Sequence, residues 1–150
     1  MSPREPTAGM TSILVPIDGS DASMHALALA CTIAKRNKGK VYAVHVIEVR
    51  RSLPLDAELQ PEAARGEEIL SRAEKVADEM DFEVEGEILQ AREAGHAVVD
   101  EAIERGVGAI ILGVAYTRPF GQFQLGRLTQ YVLKHAPCHV WVCRHPVQES

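Results

Sequence analysis

The chain has 150 residues, of which 46% are hydrophobic and 25% charged, and its formal net charge is −5 at pH 7. This length suits one domain with a sizeable core. Binding to nucleic acid backbones or anionic membrane surfaces requires clustered positive charge, so the acidic balance argues against both partners.

Cysteine usage and hydropathy indicate the cellular setting. The three cysteines, Cys31, Cys138 and Cys143, lie in apolar patterns without paired spacing, which predicts buried free thiols rather than disulfides or a zinc site. No apolar run approaches the ~18 residues of a membrane span, and no signal-type apolar core opens the chain. We therefore expect a soluble cytoplasmic domain over residues 12–145, between a loose tail at 1–11 and a second tail at 146–150.

The first half of the chain alternates strand and helix patterns. Residues 12–17 form a β-branched run that predicts a buried strand, with Pro16 at its end because proline cannot donate to a sheet. Ser20 is placed to cap the following helix, which Gly39 is expected to end. Residues 41–49 are apolar on both faces and predict a second strand, and a helical period follows over 62–81.

The second half repeats this alternation. Residues 82–90 alternate apolar and acidic side chains, which predicts a strand at a sheet edge. A helix over 95–105, a strand over 109–112, a fourth helix and a strand over 139–143 follow. Strands alternating with helices predict an α/β three-layer sandwich with one parallel sheet, in which ligands bind at the carboxyl ends of the strands.

The segment after the fourth strand is the most informative for function. An apolar run ends at Gly113, a polar loop with Gly121 and Gly126 follows, and a helical pattern begins after it. A strand, a glycine loop and a helix in this order can surround a phosphate with backbone N–H groups and a helix N-terminus.

Five stretches carry a resemblance to a known family. They are ILVPIDGSDAS (13–23), YAVHVIE (42–48), AREAGHAVVDEA (91–102), GAIILG (108–113) and LGRLTQYVLKHAPCHVWVCR (125–144). Over these stretches the chain resembles the universal stress protein family. The resemblance implies a five-stranded parallel sheet in the order 3-2-1-4-5 with four helices, an adenine nucleotide alpha hydrolase-like fold, and a function in the stress response.

The nucleotide-binding branch of that family has a glycine pattern: Gly, two residues, Gly, nine residues, Gly, then Ser or Thr. Here Gly113 and Gly126 fall on the first and third glycines, whereas Tyr116 replaces the second glycine and Arg127 the hydroxyl residue. The first carboxylate loop and the second strand also hold adenosine in that branch. The implied nucleotide-binding residues are Pro16, Asp18, Val46, Gly113, Tyr116, Gly126, Arg127 and Leu128.

The two replacements leave alternatives open. The Tyr116 ring could stack on a base or sugar, or it could pack on the surface. Arg127 cannot bind a cation, but it can clamp a phosphate with two N–H groups, or pair with a nearby acid instead. No pair of histidines has helical ligand spacing with a carboxylate between, so we assign no metal site.

Taken together, these features predict a regulatory module that binds an adenine nucleotide (ATP, AMP or a cyclic nucleotide). We expect no strong catalysis, because the usual metal-holding hydroxyl is absent, and at most weak ATP hydrolysis. The rival hypothesis is a dimeric scaffold of the same fold without a ligand. The resemblance implies a homodimer formed through the last strand, around Val140, Trp141 and Val142, where Trp141 either anchors the interface or packs under its own helices.

Overall fold

The computed structural model describes residues 10–115 and 125–145. Within these ranges strands and helices alternate strictly. The elements are β1 (Ser12–Pro16), α1 (Asp21–Asn37), β2 (Lys40–Glu48), α2 (Gln60–Glu79), β3 (Glu85–Ala91), α3 (Ala94–Arg105), β4 (Ala109–Ala115), α4 (Arg127–His135) and β5 (His139–His145).

All five strands pair in parallel, in the order β3-β2-β1-β4-β5. This confirms the fold and the strand order expected from the sequence. The chain runs outward from β1 to β3 on one side, then crosses back to β4 and β5 on the other. The order therefore reverses between β1 and β4, and ligands of open parallel sheets bind at such a reversal, beyond the carboxyl ends of the strands.

Helices cover both faces of the sheet. The central strand illustrates why: Ile13, Leu14 and Val15 are all fully buried, which a strand covered on one face alone would not allow. Ile13 and Val15 belong to the core cluster that α1 and α2 cover, and Leu14 belongs to the cluster under α3 and α4. The sheet is thus the middle layer of three.

Several element boundaries differ from the expectation, with β4 and β5 extending beyond residues 112 and 143, and two of the differences have a clear physical reason. β3 begins at Glu85 rather than at residue 82, because Asp81 adopts a left-handed φ of 54° and the N–H of Phe82 still donates to Ala77 O of α2 at 3.0 Å. Residues 82–84 therefore leave the helix before they can join the sheet. α2 begins at Gln60, because Pro61 is tolerated in a first turn whose N–H groups lack partners in any case.

The glycine expected to end α1 has a different role. Lys38, with φ of 55°, is the left-handed residue after the helix. A Cβ at Gly39 would lie 2.0 Å from Thr11 O, so glycine is required there by the close approach of the chain entering β1.

Two further expectations need adjustment. Met10 lies within the expected N-terminal tail, but it is 1% exposed and belongs to the core; residues 1–9 and 146–150 lie outside the described ranges. The three cysteines are free, but only Cys31 is fully buried, and its burial raises the pKa of the thiol to about 11.

Among the described residues, no helix is both long and apolar enough to cross a bilayer.

Candidate functional site

A cavity of about 560 Å³ opens beyond the carboxyl ends of β1, β2 and β4, beside the first turn of α4. It lies at the reversal of strand order, and its volume falls within the ~300–1,000 Å³ typical of small-molecule sites. Seven of the predicted nucleotide-binding residues line it, whereas Tyr116 lies outside the described residues. The seven are Pro16, Asp18, Val46, Gly113, Gly126, Arg127 and Leu128.

Asp18 is fixed by the turn between β1 and α1. Its Oδ1 accepts hydrogen bonds from the backbone N–H of Ser20 at 2.9 Å and from the Ser20 hydroxyl at 2.6 Å. The same hydroxyl oxygen accepts from the N–H of Ser23 at 3.1 Å and thereby caps α1, as the sequence predicted. One side chain therefore both starts the helix and orients the carboxylate.

These contacts also set the charge of Asp18. Partial burial raises the pKa of its carboxyl group, but the hydrogen bonds from Ser20 and Ser23 outweigh burial, and the pKa lies below its ordinary value. The cavity therefore has a fixed, ionised carboxylate on the β1 side at neutral pH.

Arg72 of α2 supports this turn from outside the cavity. Its Nη1 donates to Gly19 O at 2.8 Å, and its Nη2 lies 2.6 Å from Asp21 Oδ1. Gly19 has φ of +88°, a conformation that side chains other than glycine rarely adopt. The turn that carries Asp18 is thus held by α2 as well as by its own hydrogen bonds.

The two retained glycines of the predicted motif differ in whether their surroundings require glycine. A Cβ on Gly113 would lie 2.0 Å from Ala22 O, so glycine is needed there for β4 to pass the first turn of α1. Gly126 has an extended backbone (φ −72°, ψ 169°), and a Cβ there would meet no described atom within 4 Å. Packing accounts for Gly113, whereas neither packing nor backbone conformation accounts for Gly126.

The first turn of α4 borders the cavity, and no side chain of the described residues caps it. Gly126 is the N-cap residue and makes no side-chain capping bond, and the N–H groups of the first turn have no partner within a helix. Arg127 is exposed, and no acid in the described part of the chain lies within ion-pair distance of it. The helix dipole and the guanidinium therefore add at one wall of the cavity.

Lining residues outside the predicted nucleotide-binding set include His45, Glu48 and Thr129. His45 Nδ1 lies 2.8 Å from Ile17 O and must donate, because a carbonyl can only accept. Glu48 Oε2 accepts from the N–H of Ala94 at 3.0 Å, which ties the end of β2 to the start of α3. Thr129 is buried at 4% exposure in the first turn of α4, and a small polar residue two positions after Arg127 was the only available signal for it.

Among the described residues, no group of three or more His, Cys, Asp or Glu side chains is arranged to hold a metal ion.

Comparison with known proteins identifies the family. The model of the universal stress protein family matches residues 10–144. The chain belongs to the universal stress protein family. A universal stress protein of Methanocaldococcus jannaschii is 31% identical over 143 residues, covering 91% of this chain and 84% of that protein.

Solved structures of this family share the fold. The universal stress protein UspA from Lactobacillus plantarum superimposes with a TM-score of 0.70 at 28% identity, covering 91% of this chain and 99% of that one. A universal stress protein from Archaeoglobus fulgidus in complex with dAMP superimposes with a TM-score of 0.71 at 21% identity, covering 90% and 98%. Other structures with this fold hold cAMP or AMP. Some universal stress proteins of this fold therefore bind adenine nucleotides.

Proposed function

We propose that this universal stress protein binds an adenine nucleotide (ATP, AMP or a cyclic nucleotide) in the cavity between β1, β2 and α4, and that it acts as a regulatory module in the stress response. The observation that carries the proposal is the N-terminus of α4, which faces the cavity together with the cation of Arg127 and which no side chain of the described residues caps. That wall is suited to an anion, and nothing in the described part of the chain neutralises it.

The phosphate end of the ligand would lie over the first turn of α4. Its oxygens would accept from the free N–H groups, and the absence of a side chain at Gly126 leaves room for them to approach the backbone. Arg127 would add a charge-assisted contact with two parallel N–H groups. This arrangement fits the replacement of the usual hydroxyl residue by an arginine.

The nucleoside end would lie toward β1 and β2. The ionised Asp18 carboxylate is suited to accept a ribose hydroxyl, because Ser20 fixes its orientation before the ligand arrives. The apolar ends of β1 and β2, at Pro16 and Val46, would pack against the adenine ring. Preorganised polar groups on an otherwise apolar wall are typical of small-ligand sites.

The proposed role is binding rather than turnover. Phosphoryl transfer needs a bound metal ion and a positioned water, and Arg127 stands where a hydroxyl would contact the metal. We therefore assign ATP hydrolysis no part in the function. Phosphate release measured over hours in the presence of Mg²⁺ and ATP would test this, and turnover above the background rate would contradict it.

Calorimetric titration of the full chain with ATP, AMP and cAMP tests the binding proposal. We expect Arg127→Ala to weaken the affinity for ATP about ten- to a hundredfold, because a hydrogen bond to a charged group contributes ~1.5–3 kcal/mol. Lys134→Ala is the matched control, since it removes an exposed cation from the same helix away from the cavity. No heat at millimolar ligand would overturn the proposal, and an equal loss in both variants would overturn the role of Arg127.

The proposal includes a homodimer formed by pairing β5 with its twofold mate. β5 is an edge strand, and Val140, Trp141 and Val142 are only half-buried in the single chain, with Trp141 packed on the core beneath α1. Unpaired edges that carry apolar side chains need cover.

Because the three cysteines are free thiols, the proposal also includes a reducing, cytoplasmic location.

Sedimentation of Val140→Lys tests the dimer, with Ile103→Lys on the 57%-exposed position of α3 as the control. We expect the first variant to be monomeric and the second to keep the mass of the unaltered chain. An unchanged mass in both variants would contradict the β5 interface. A dimer that binds no nucleotide would instead favour the scaffold hypothesis.

A further inference from the structure

A second cavity, of about 480 Å³, adjoins the first. The two share Glu48, Ala94, Arg127 and Leu128, so the guanidinium of Arg127 lies at their common wall. The second cavity is also large enough for a small-molecule site. A mononucleotide held in the first cavity would leave the second empty.

A row of three rings begins at the second cavity, which His96 and Tyr131 line and His135 does not. His96 stacks on Tyr131 with centroids 4.2 Å apart and planes 22° apart, and Tyr131 contacts His135 at 4.3 Å on the side away from the cavity lining. More than half of the His96 side chain is exposed although Tyr131 covers one face of its ring, so the other face is the accessible one. Accessible rings of this kind are stacking surfaces for nucleobases.

The orientation of the His96 ring is fixed by its neighbours. Its Nε2 lies 2.8 Å from Oε2 of Glu93, the N-cap residue of α3. α3 and α4 are in close contact at this point, because a Cβ on Gly95 would lie only 2.9 Å from the Cβ of Tyr131. This close packing limits the freedom of Tyr131. A ring held on two sides loses little freedom when a base stacks on it.

The charges of the second cavity favour a base over a further phosphate. Glu48 lines both cavities, and the acid that the second cavity adds is Glu93, which would repel a further phosphate; both acids already have partners, in the N–H of Ala94 and the His96 ring. Carboxylate oxygens can still accept from the exocyclic amine of a purine. Phosphate would remain at the common wall, where Arg127 and the first turn of α4 supply the positive charge.

We propose that the ligand of this site is a dinucleoside polyphosphate, with one adenosine in the first cavity, the phosphate bridge over Arg127 and the N-terminus of α4, and the second base stacked on His96. This inference rests on the proposed function and extends it, since it names a ligand with two nucleoside ends. It requires no covalent step. The chain would sense the compound by binding both ends at once.

Two probes with phosphate chains of equal length test the contribution of the second base. Calorimetry of the full chain would compare diadenosine tetraphosphate with adenosine 5′-tetraphosphate. We expect the dinucleoside to bind about tenfold more tightly, at one ligand per chain, because stacking one base on an aromatic ring contributes an energy of that order. Equal affinities, or one ligand per two chains, would overturn this inference and leave the mononucleotide proposal standing.

Substitutions in the ring row test where the second base lies. His96→Ala should abolish the advantage of the dinucleoside and leave the affinity for adenosine 5′-tetraphosphate unchanged, whereas His96→Phe should retain it. His135→Ala is the matched control, because it also removes a histidine from Tyr131 but does not line either cavity. The NMR signals of the His96 ring should shift with the dinucleoside alone.

A loss of the advantage in both alanine variants would mean that the row acts only through packing, and it would overturn the stacking assignment. If none of the adenine ligands binds, this inference and the proposed function fail together. Circular dichroism melting of each variant ensures that only folded protein is compared.

Discussion

The N-termini of α1 and α4 both face the cavity, but they differ in their capping residues and in the charge of their first turns. At α1, the Ser20 hydroxyl caps the helix and Asp21 lies in the first turn, where a negative charge is favourable. At α4, Gly126 provides no capping side chain and Arg127 places a positive charge in the first turn, where it is unfavourable by itself.

This difference separates scaffold from binding site. The positive end of the α1 dipole is matched by the chain's own side chains, so α1 serves to hold Asp18 in place. The positive end of the α4 dipole is reinforced by Arg127, so the wall formed by α4 is the one suited to an anion. A ligand should therefore stabilise α4 much more than α1, and the following predictions test this contrast from the largest expected effect to the smallest.

Gly113→Ala should have the largest effect on stability. The new Cβ would lie 2.0 Å from Ala22 O, and backbone atoms cannot yield as a flexible side chain can. We expect the free energy of unfolding to fall by about 3 kcal/mol or more, measured by urea denaturation. The substitution would weaken the packing of β4 against the start of α1, which we assign to the scaffold rather than to the ligand-binding wall.

Gly126→Ala is the matched control for that variant. No described atom lies within 4 Å of the new Cβ, and φ of −72° suits alanine, so stability should change by less than about 0.5 kcal/mol. Its effect should appear in nucleotide affinity, because the methyl group would occupy space at the uncapped N–H groups. Equal losses of stability in the two variants would contradict the division between the two glycines.

The periodicity of the sequence was sufficient to predict the fold. Strands such as residues 41–49 are apolar on both faces only when helices cover both faces, and the alternation of strand and helix then leaves few topologies. The strand order itself came from the resemblance to the family. The prediction was less accurate at the element ends, as at residues 82–84, where the left-handed Asp81 redirects the chain before pairing begins.

The predicted binding residues came from family spacing, and seven of them line one cavity, but spacing could not distinguish their physical roles. The reason for Gly113 is a contact with Ala22, some ninety residues earlier in the chain, which no local pattern records. Glu48 meets the N-terminus of α3 through tertiary packing, and the row of His96, Tyr131 and His135 joins two helices. Contacts between distant segments are set by packing, which a single sequence does not specify.

Ser20→Ala and Gly126→Ser should change the two helix ends in opposite directions. Removing the α1 cap should lower the free energy of unfolding by ~1 kcal/mol, whereas adding a hydroxyl at the α4 N-cap should raise it by a few tenths of a kcal/mol. The added hydroxyl would also satisfy N–H groups that we assign to phosphate, so ATP should bind more weakly. Paired denaturation and titration measurements would check both effects, and unchanged ATP affinity in Gly126→Ser would argue against the phosphate position.

Asp18→Asn should alter the pH dependence of stability. Because the folded pKa of Asp18 lies below its ordinary value, its ionised form contributes stability above the unfolded pKa, and this contribution is lost as pH falls through the folded pKa. The difference in unfolding free energy between the unaltered chain and the variant should therefore be constant near neutral pH and shrink below about pH 4. A difference that grows on acidification would contradict the assignment of an ionised carboxylate.

Arg72→Ala should have the smallest effect, since Arg72 contacts the turn before α1 only from its exposed side. The Arg72 guanidinium holds the pKa of Asp21 below its ordinary value, chiefly by hydrogen bonding, so this pKa should rise toward the ordinary value in an NMR titration. Lys75→Ala, an exposed cation one turn further along α2, should leave the pKa of Asp21 unchanged. The pKa of Asp18 should stay low in both variants, because Ser20 rather than Arg72 supplies its hydrogen bonds. If the pKa of Asp18 also rose in Arg72→Ala, the α1 end would depend on α2 for its preorganisation, and the contrast between a self-sufficient α1 end and a ligand-dependent α4 end would weaken accordingly.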